Sequence, residues 1–218
     1  MSAPSSGRES VLNRIRKATS TVALDGPRLA ERYSSIPRNY VRAGKLSNAT
    51  KIALLIERLR DYDADVAESA PGAIADTIRE KLTGSGRQTF AAPGGLPRIW
   101  MAPSFNWVID NGLSHEEIEK VDGVVTAATC AIADSGTIVL HHSANEGRRV
   151  LTLLPDWHLC VLRASQVVET LPEYFARVTQ PPALVTWISG PSATADIEMT
   201  RIKGVHGPRF LTVILLRD

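Results

Sequence analysis

Ser189, Gly190, Ser192, Thr194, Asp196, Glu198 and His206 fall in one polar segment between two apolar runs, Ala183 to Ile188 and Phe210 to Leu216. Such a mixture can hold an anion. The Ser192 and Thr194 hydroxyls can donate hydrogen bonds, and Gly190 lets the backbone approach a ligand closely. If Thr194 caps a short helix, the free N–H groups of the next turn attract a carboxylate or phosphate. His206, between Gly204 and Gly207, has the chemistry of a general base or of a cationic partner for an anion. A purely structural account covers the same residues: Asp196 and Glu198 complement a helix dipole, Gly204 caps the helix, and His206 is an ordinary loop histidine. Neither the Walker spacing nor GxGxxG is present, so the loop is not one of the standard nucleotide-phosphate cradles.

Ser135 and Thr137, in Asp134-Ser135-Gly136-Thr137, offer a second set of polar groups for a pocket beside that segment; a tight turn explains them equally well. His141 and His142 would point to opposite faces of a strand, which disfavours both as ligands of one metal. His115 and His158 read as surface or edge positions. Cys130 and Cys160 cannot make a CxxC motif and fall short of the roughly four thiolates of an iron–sulfur cluster. Lying in apolar stretches, they read as core residues. The four tryptophans, Trp100, Trp107, Trp157 and Trp187, are spread out and read as core or rim. No metal site and no catalytic residue is identified by the pattern.

The elements that must position these groups show in the periodicity. Ile52, Leu55, Ile56 and Leu59 fall on one helical face. Ile74, Ile78 and Leu82 predict a second helix after Pro71, closing near Gly84. Ser114-His115-Glu116-Glu117 and Thr170-Leu171-Pro172-Glu173 have the form of capped helix starts, the latter helix running to about Val178. Ala131 to Ala133 and Thr137 to Leu140 predict two strands joined by a tight turn. Val150 to Leu154, His158 to Leu162 and the runs flanking the polar segment predict further strands. Helices alternating with short apolar strands imply an α/β layered domain, and the hairpin implies a mixed sheet.

Composition sets the frame. Hydrophobic residues make up 44% and charged residues 22% of 218 positions, ordinary for a globular chain. The net charge of +2 argues against a nucleic-acid partner. No secretory signal and no membrane-spanning run is evident, so a cytoplasmic protein is expected. Charge is uneven: residues 1–44 carry eight Arg and Lys against three Asp and Glu. We therefore divide the chain into a basic N-terminal extension, 1–45, and an α/β domain, 46–218. The extension suits either a docking arm for an acidic partner or a solvated appendage.

Three blocks carry a family resemblance: Ala131-Ile132-Ala133-Asp134-Ser135-Gly136-Thr137, Gly190-Pro191-Ser192-Ala193-Thr194-Ala195-Asp196-Ile197-Glu198, and Gly204-Val205-His206-Gly207-Pro208. In order and spacing they resemble the LUD-domain family, of the lactate-utilization protein C (LutC) type, over roughly residues 46–218. The resemblance implies a fold like that of CoA transferases and ribose-phosphate isomerases (NagB/RpiA-like). It also implies an accessory role in oxidising L-lactate to pyruvate beside iron–sulfur partner proteins, which would hold the clusters, with no cofactor in this chain. A small carboxylate or phosphate is the expected ligand. The alternative is an independent enzyme acting on a small carboxylate, a CoA thioester or a sugar phosphate.

Overall fold

A computed structural model describes residues 7–19, 26–194, 202–204 and 206–218. Asp196 and Glu198 lie outside the described residues. The chain divides into two compact units, Met1–Tyr40 and Val41–Asp218. The first contains helices α1 (Gly7–Thr19) and α2 (Gly26–Ser35), in which no residue is buried.

The second unit is built from α3 (Asn48–Asp61), β1 (Asp65–Ser69), α4 (Ile74–Gly84), β2 (Thr89–Pro93), β3 (Asn106–Asp110), α5 (His115–Glu119), β4 (Gly123–Ala127), β5 (Cys130–Ile132), β6 (Thr137–Leu140), β7 (Trp157–Arg163), β8 (Val167–Val168), α6 (Leu171–Arg177), β9 (Thr186–Ile188), β10 (Ala193–Thr194), β11 (Ile202–Lys203) and β12 (Phe210–Leu216). Six strands form a wholly parallel sheet in the order β1-β12-β7-β4-β2-β3. Four more form a mixed sheet, β8-β5-β6-β9, and β10 pairs antiparallel with β11. The α/β class expected from the sequence holds. Its mixed character resides in the smaller sheet, because the 131–140 hairpin pairs there and leaves the large sheet parallel. Among the described residues no helix is long and apolar enough to cross a membrane.

Central strands buried on both faces read as continuous apolar runs, and β7 and β12 are such strands. Cys160, Leu162, Leu211, Val213 and Leu215 pack with Ile52, Leu55 and Leu59 of α3 and with Ile138 and Leu140 of β6. On the opposite face Leu159, Val161, Ile214 and Leu216 meet Ile74, Ile78 and Leu82 of α4. Both helices bury the residues that their spacing singled out. Ser47 caps α3, its Oγ accepting from Thr50 N–H at 3.2 Å, and Ser114 and Glu117 close a capping box on α5. Cys130 and Cys160 are buried free thiols, and burial pushes their pKa values up to about 11 and about 12. Trp100 and Trp157 are buried and Trp107 is half-buried, whereas Trp187 stands exposed against Tyr174 and Phe175.

Two expected strands differ. Val150 to Leu154 does not pair: Arg149–Thr152 is a 3-10 turn, with the N–H groups of Leu153 and Leu154 both returning to the Val150 carbonyl. Both positions beside β7 in the sheet are taken by β4 and β12, so this run cannot pair with the strand that follows it. The run from Ala183 to Ile188 yields only the three-residue strand β9, with Thr186 buried and Trp187 exposed.

Glu173 ties the entry of the second unit to α6. Its carboxylate accepts from Gly44 N–H at 2.9 Å, Glu169 N–H at 2.7 Å and Thr170 N–H at 3.0 Å. Glu169 in turn accepts from Leu46 N–H at 2.7 Å. Burial opposes ionisation of Glu173, yet the three N–H groups outweigh it and hold the carboxyl below its ordinary value of 4.5. A depressed carboxyl pKa contributes stability that is complete above 4.5 and fades as pH falls through the folded value. Glu173→Gln should lower the urea midpoint at neutral pH, and its difference from wild type should shrink below pH 4.5. Equal midpoints for the two proteins at neutral pH would show that the carboxylate is not what fastens this segment.

Candidate functional site

A cleft of about 240 Å³ opens at the amino-terminal end of β7 and β12, on the face that carries the smaller sheet. Four pieces of chain converge on it. The 3-10 turn before β7 brings Arg149 and Thr152, β7 brings His158, β9 brings Thr186 to Ile188, and the polar segment brings Ser189 to Ala193 with His206 and Pro208.

The polar segment is a folded ribbon. The Ser192 N–H donates to the Pro208 carbonyl at 2.8 Å and the Ser192 carbonyl accepts from Gly204 N–H at 3.0 Å. Ser192 Oγ accepts from His206 N–H at 3.2 Å. Beyond them the chain pairs as β10 and β11, with Ala193 opposite Lys203 and Thr194 opposite Ile202. The helix start envisaged at Thr194 is therefore replaced, among the described residues, by a strand, and Gly204 follows a strand instead of closing a helix. Competition between a local side-chain cap and a ladder hydrogen bond is common for such residues, and pairing wins here.

Gly190 has φ of +78°, and a Cβ there would lie 2.5 Å from Tyr62 Cβ and 2.8 Å from the Tyr62 carbonyl oxygen. Gly190, expected to let the backbone approach a ligand, is packed closely against Tyr62 at the end of α3. Ser135 and Thr137 meet the ribbon through hydroxyls: Ser135 Oγ and Thr137 Oγ1 are 2.8 Å apart, and Thr137 Oγ1 is 2.8 Å from Ser189 Oγ. Of that chain only Ser189 reaches the cleft wall. Gly190, Ser192 and His206 also line it. Asp196 and Glu198 lie outside the described residues, as does the side chain of Thr194.

Several residues of the cleft wall were not marked by the sequence. His158, expected at a surface or edge, is fully buried, with Nε2 sharing a 2.8 Å hydrogen bond with Thr126 Oγ1. Its register in β7 turns it to the same face as Cys160 and Leu162. Burial, helped by the positive charge of Arg149, pushes its pKa down to about 4, so the ring is neutral near pH 7. Arg149 Nη1 donates to Thr152 Oγ1 at 3.0 Å, and Thr152 Oγ1 donates to the Arg149 carbonyl at 3.1 Å. Thr186 Oγ1 is 2.7 Å from His142 Nε2, while His142 Nδ1 is 2.9 Å from the Gly147 carbonyl. That carbonyl can only accept, so Nδ1–H donates to it, and in a neutral ring Nε2 then accepts from Thr186. His141 Nε2 turns instead to Tyr174 Oη at 2.7 Å. Among the described residues no group of three or more His, Cys, Asp or Glu is placed to hold a metal ion.

Gly190→Ala should cost about 1–3 kcal/mol in chemical denaturation, because it adds left-handed backbone strain to a clash with Tyr62. A loss indistinguishable from zero would mean that Tyr62 is free to move aside. Buried neutral His158 sets a second expectation. A histidine whose folded pKa lies below its unfolded value contributes stability that is complete above 6.5 and is lost as pH falls toward 4. Stability should therefore decline between those pH values, and His158→Gln should flatten the decline. An unchanged slope in the variant would assign the acid sensitivity to other groups.

The match to the LUD domain model spans residues 104–216, which includes the whole cleft wall. A Deinococcus radiodurans protein named Lactate utilization protein C is 40% identical over 179 residues, covering 78% of this chain and 82% of that protein. The Bacillus subtilis protein of the same name is 33% identical over 126 residues, about half of each chain. The crystal structure of a DUF162 family protein from Deinococcus radiodurans superposes with a TM-score of 0.67 at 35% identity, over 79% of this chain and 99% of that one. With the family resemblance of the three sequence blocks thus matched by domain model, relatives and fold, the chain belongs to the LUD-domain family.

Proposed function

We propose that this protein is an accessory component of a lactate-utilization system, in which L-lactate is oxidised to pyruvate beside iron–sulfur partner proteins. Its own part is to hold a small anionic ligand in the cleft walled by the Gly190–Ser192 ribbon. Two things support this reading: the shared name of the relatives, Lactate utilization protein C, and the chemistry of the cleft. The observation that carries the ligand-holding role is a guanidinium, Arg149, facing the same small cavity as Ser189, Ser192 and His206, with no carboxylate on the described part of the wall.

Oxidation of lactate to pyruvate removes two electrons and two protons, and in this reading the partners' clusters take the electrons. The described residues of this chain supply hydrogen-bond donors and one fixed cation, which orient a carboxylate. Its two thiols are buried and held protonated, so they take no part. Reconstitution tests the assignment: lactate-dependent reduction of an artificial electron acceptor is measured with the two iron–sulfur partners, with and without this chain. Reduction should depend on its presence. Full reduction by active partners alone would remove it from the oxidising machinery.

A further inference from the structure

We infer that Arg149 anchors a site for small 2-hydroxy monocarboxylates, with Thr186 Oγ1 accepting the hydrogen bond of the ligand's hydroxyl; this rests on the ligand-holding role proposed above. Arg149 and its neighbour in sequence have opposite fates. Arg148 is spent on structure, its Nε and Nη2 donating to both carboxylate oxygens of Asp110 at 2.8 and 2.6 Å, and Nη2 also to the Leu113 carbonyl at 2.8 Å. Arg149 is half-buried and uses only Nη1, toward Thr152 Oγ1 at 3.0 Å and the Thr152 carbonyl at 3.4 Å. Those contacts fix the plane of the guanidinium. Nε and Nη2 have no protein partner among the described residues, and together they form one edge of the donor fork that binds a carboxylate with two parallel bonds.

Burial pushes the Arg149 pKa down without a carboxylate to offset it, as for a cation held in place before its counter-ion arrives. The charge count then selects the ligand. With buried His158 neutral, Arg149 is the one permanent charge on the described wall, which matches a monoanion better than a dianion. A cavity of about 240 Å³ is at the small end for ligand sites and suits a short acid. Thr186 adds a preference within that class. With a neutral His142 ring its proton goes to His142 Nε2, and the oxygen then offers lone pairs to the cleft and favours a hydroxyl on the ligand over a keto oxygen.

The full chain would be titrated calorimetrically with L-lactate, pyruvate, succinate and inorganic phosphate. L-lactate should bind most tightly and pyruvate next, with succinate and phosphate weaker. Arg149→Gln should weaken L-lactate by about thirtyfold or more, as expected when one member of a charge pair is removed. Arg149→Lys should recover part of that loss, and Thr186→Val should weaken L-lactate more than pyruvate. If Arg149→Gln fails to fold, the wild-type ligand ranking and Arg149→Lys decide the matter. Absence of monocarboxylate binding to wild type, equal or tighter binding of succinate, or undiminished binding by folded Arg149→Gln would each overturn the anchor. A chain that binds none of these acids yet is required for acceptor reduction refutes this inference and leaves the accessory role standing; one that binds L-lactate but is dispensable does the reverse.

Discussion

Two adjacent strands, β7 and β12, are buried on both faces, and that single constraint decides where polar chemistry can be placed. Trp157 to Leu162 and Leu211 to Leu216 are without exception buried, so no loop can cross either strand in its middle. The chain reaches both strands at their amino-terminal ends, through the Arg149–Thr152 turn and through the ribbon that closes at Pro208. Those two approaches meet because β7 and β12 are parallel neighbours, Trp157 lying opposite Phe210. Open α/β sheets usually bind ligands beyond the carboxyl ends of their strands. Here the candidate cleft sits at the other end, because the smaller sheet, with β9 at its edge, covers that face and supplies a second wall.

Charge is distributed in the same spirit. Asp156 takes both Arg87 and Arg209, Asp65 takes Lys81, and Glu68 takes Arg217. These exposed or half-exposed pairs contribute little individually in water, but they leave the surface cations with partners. Asp110, whose carboxylate is almost wholly buried, is compensated by Arg148 together with the N–H groups of Gly112 and Leu113. Buried Glu146 is likewise saturated by the Thr129 hydroxyl and the N–H groups of His141 and Ser143. Half-buried Arg149, by contrast, has Thr152 as its hydrogen-bond partner and no carboxylate among the described residues, and Thr152 alone would not compensate its charge.

Much of the fold was legible because it is written in local terms. The i, i+3, i+4 spacing of Ile52, Leu55 and Leu59, the Ser114 and Glu117 capping box, and the turn around Gly136, whose φ is +62°, each specify structure within a few residues. What escaped depends on distant partners. Val150 to Leu154 has a strand's composition, but both positions beside the β7 strand that follows it are taken by β4 and β12. Thr194 has a cap's chemistry but pairs with Ile202. His158 reads as an edge residue until strand order and register show that the face it points to is covered. The site was legible in one half only: Gly190, Ser192 and His206 stood out, whereas Arg149, Thr152 and Thr186 are unremarkable until folding gathers them.

Arg149 and His158 share one electrostatic environment, which bears on how steady the cleft's charge is. The positive charge of Arg149 opposes protonation of His158, so an anion seated on Arg149 removes part of that opposition. Burial is nevertheless the larger cause of the depressed histidine pKa. The ring is therefore neutral near pH 7. Its Nε2 is held by Thr126, deep in the sheet, and cannot swing outward to add a second cation. A buried neutral imidazole thus adds no second charge beside the Arg149 guanidinium. That restraint follows from the strand register that turns His158 inward, so the charge beside Arg149 and the burial of β7 have the same origin.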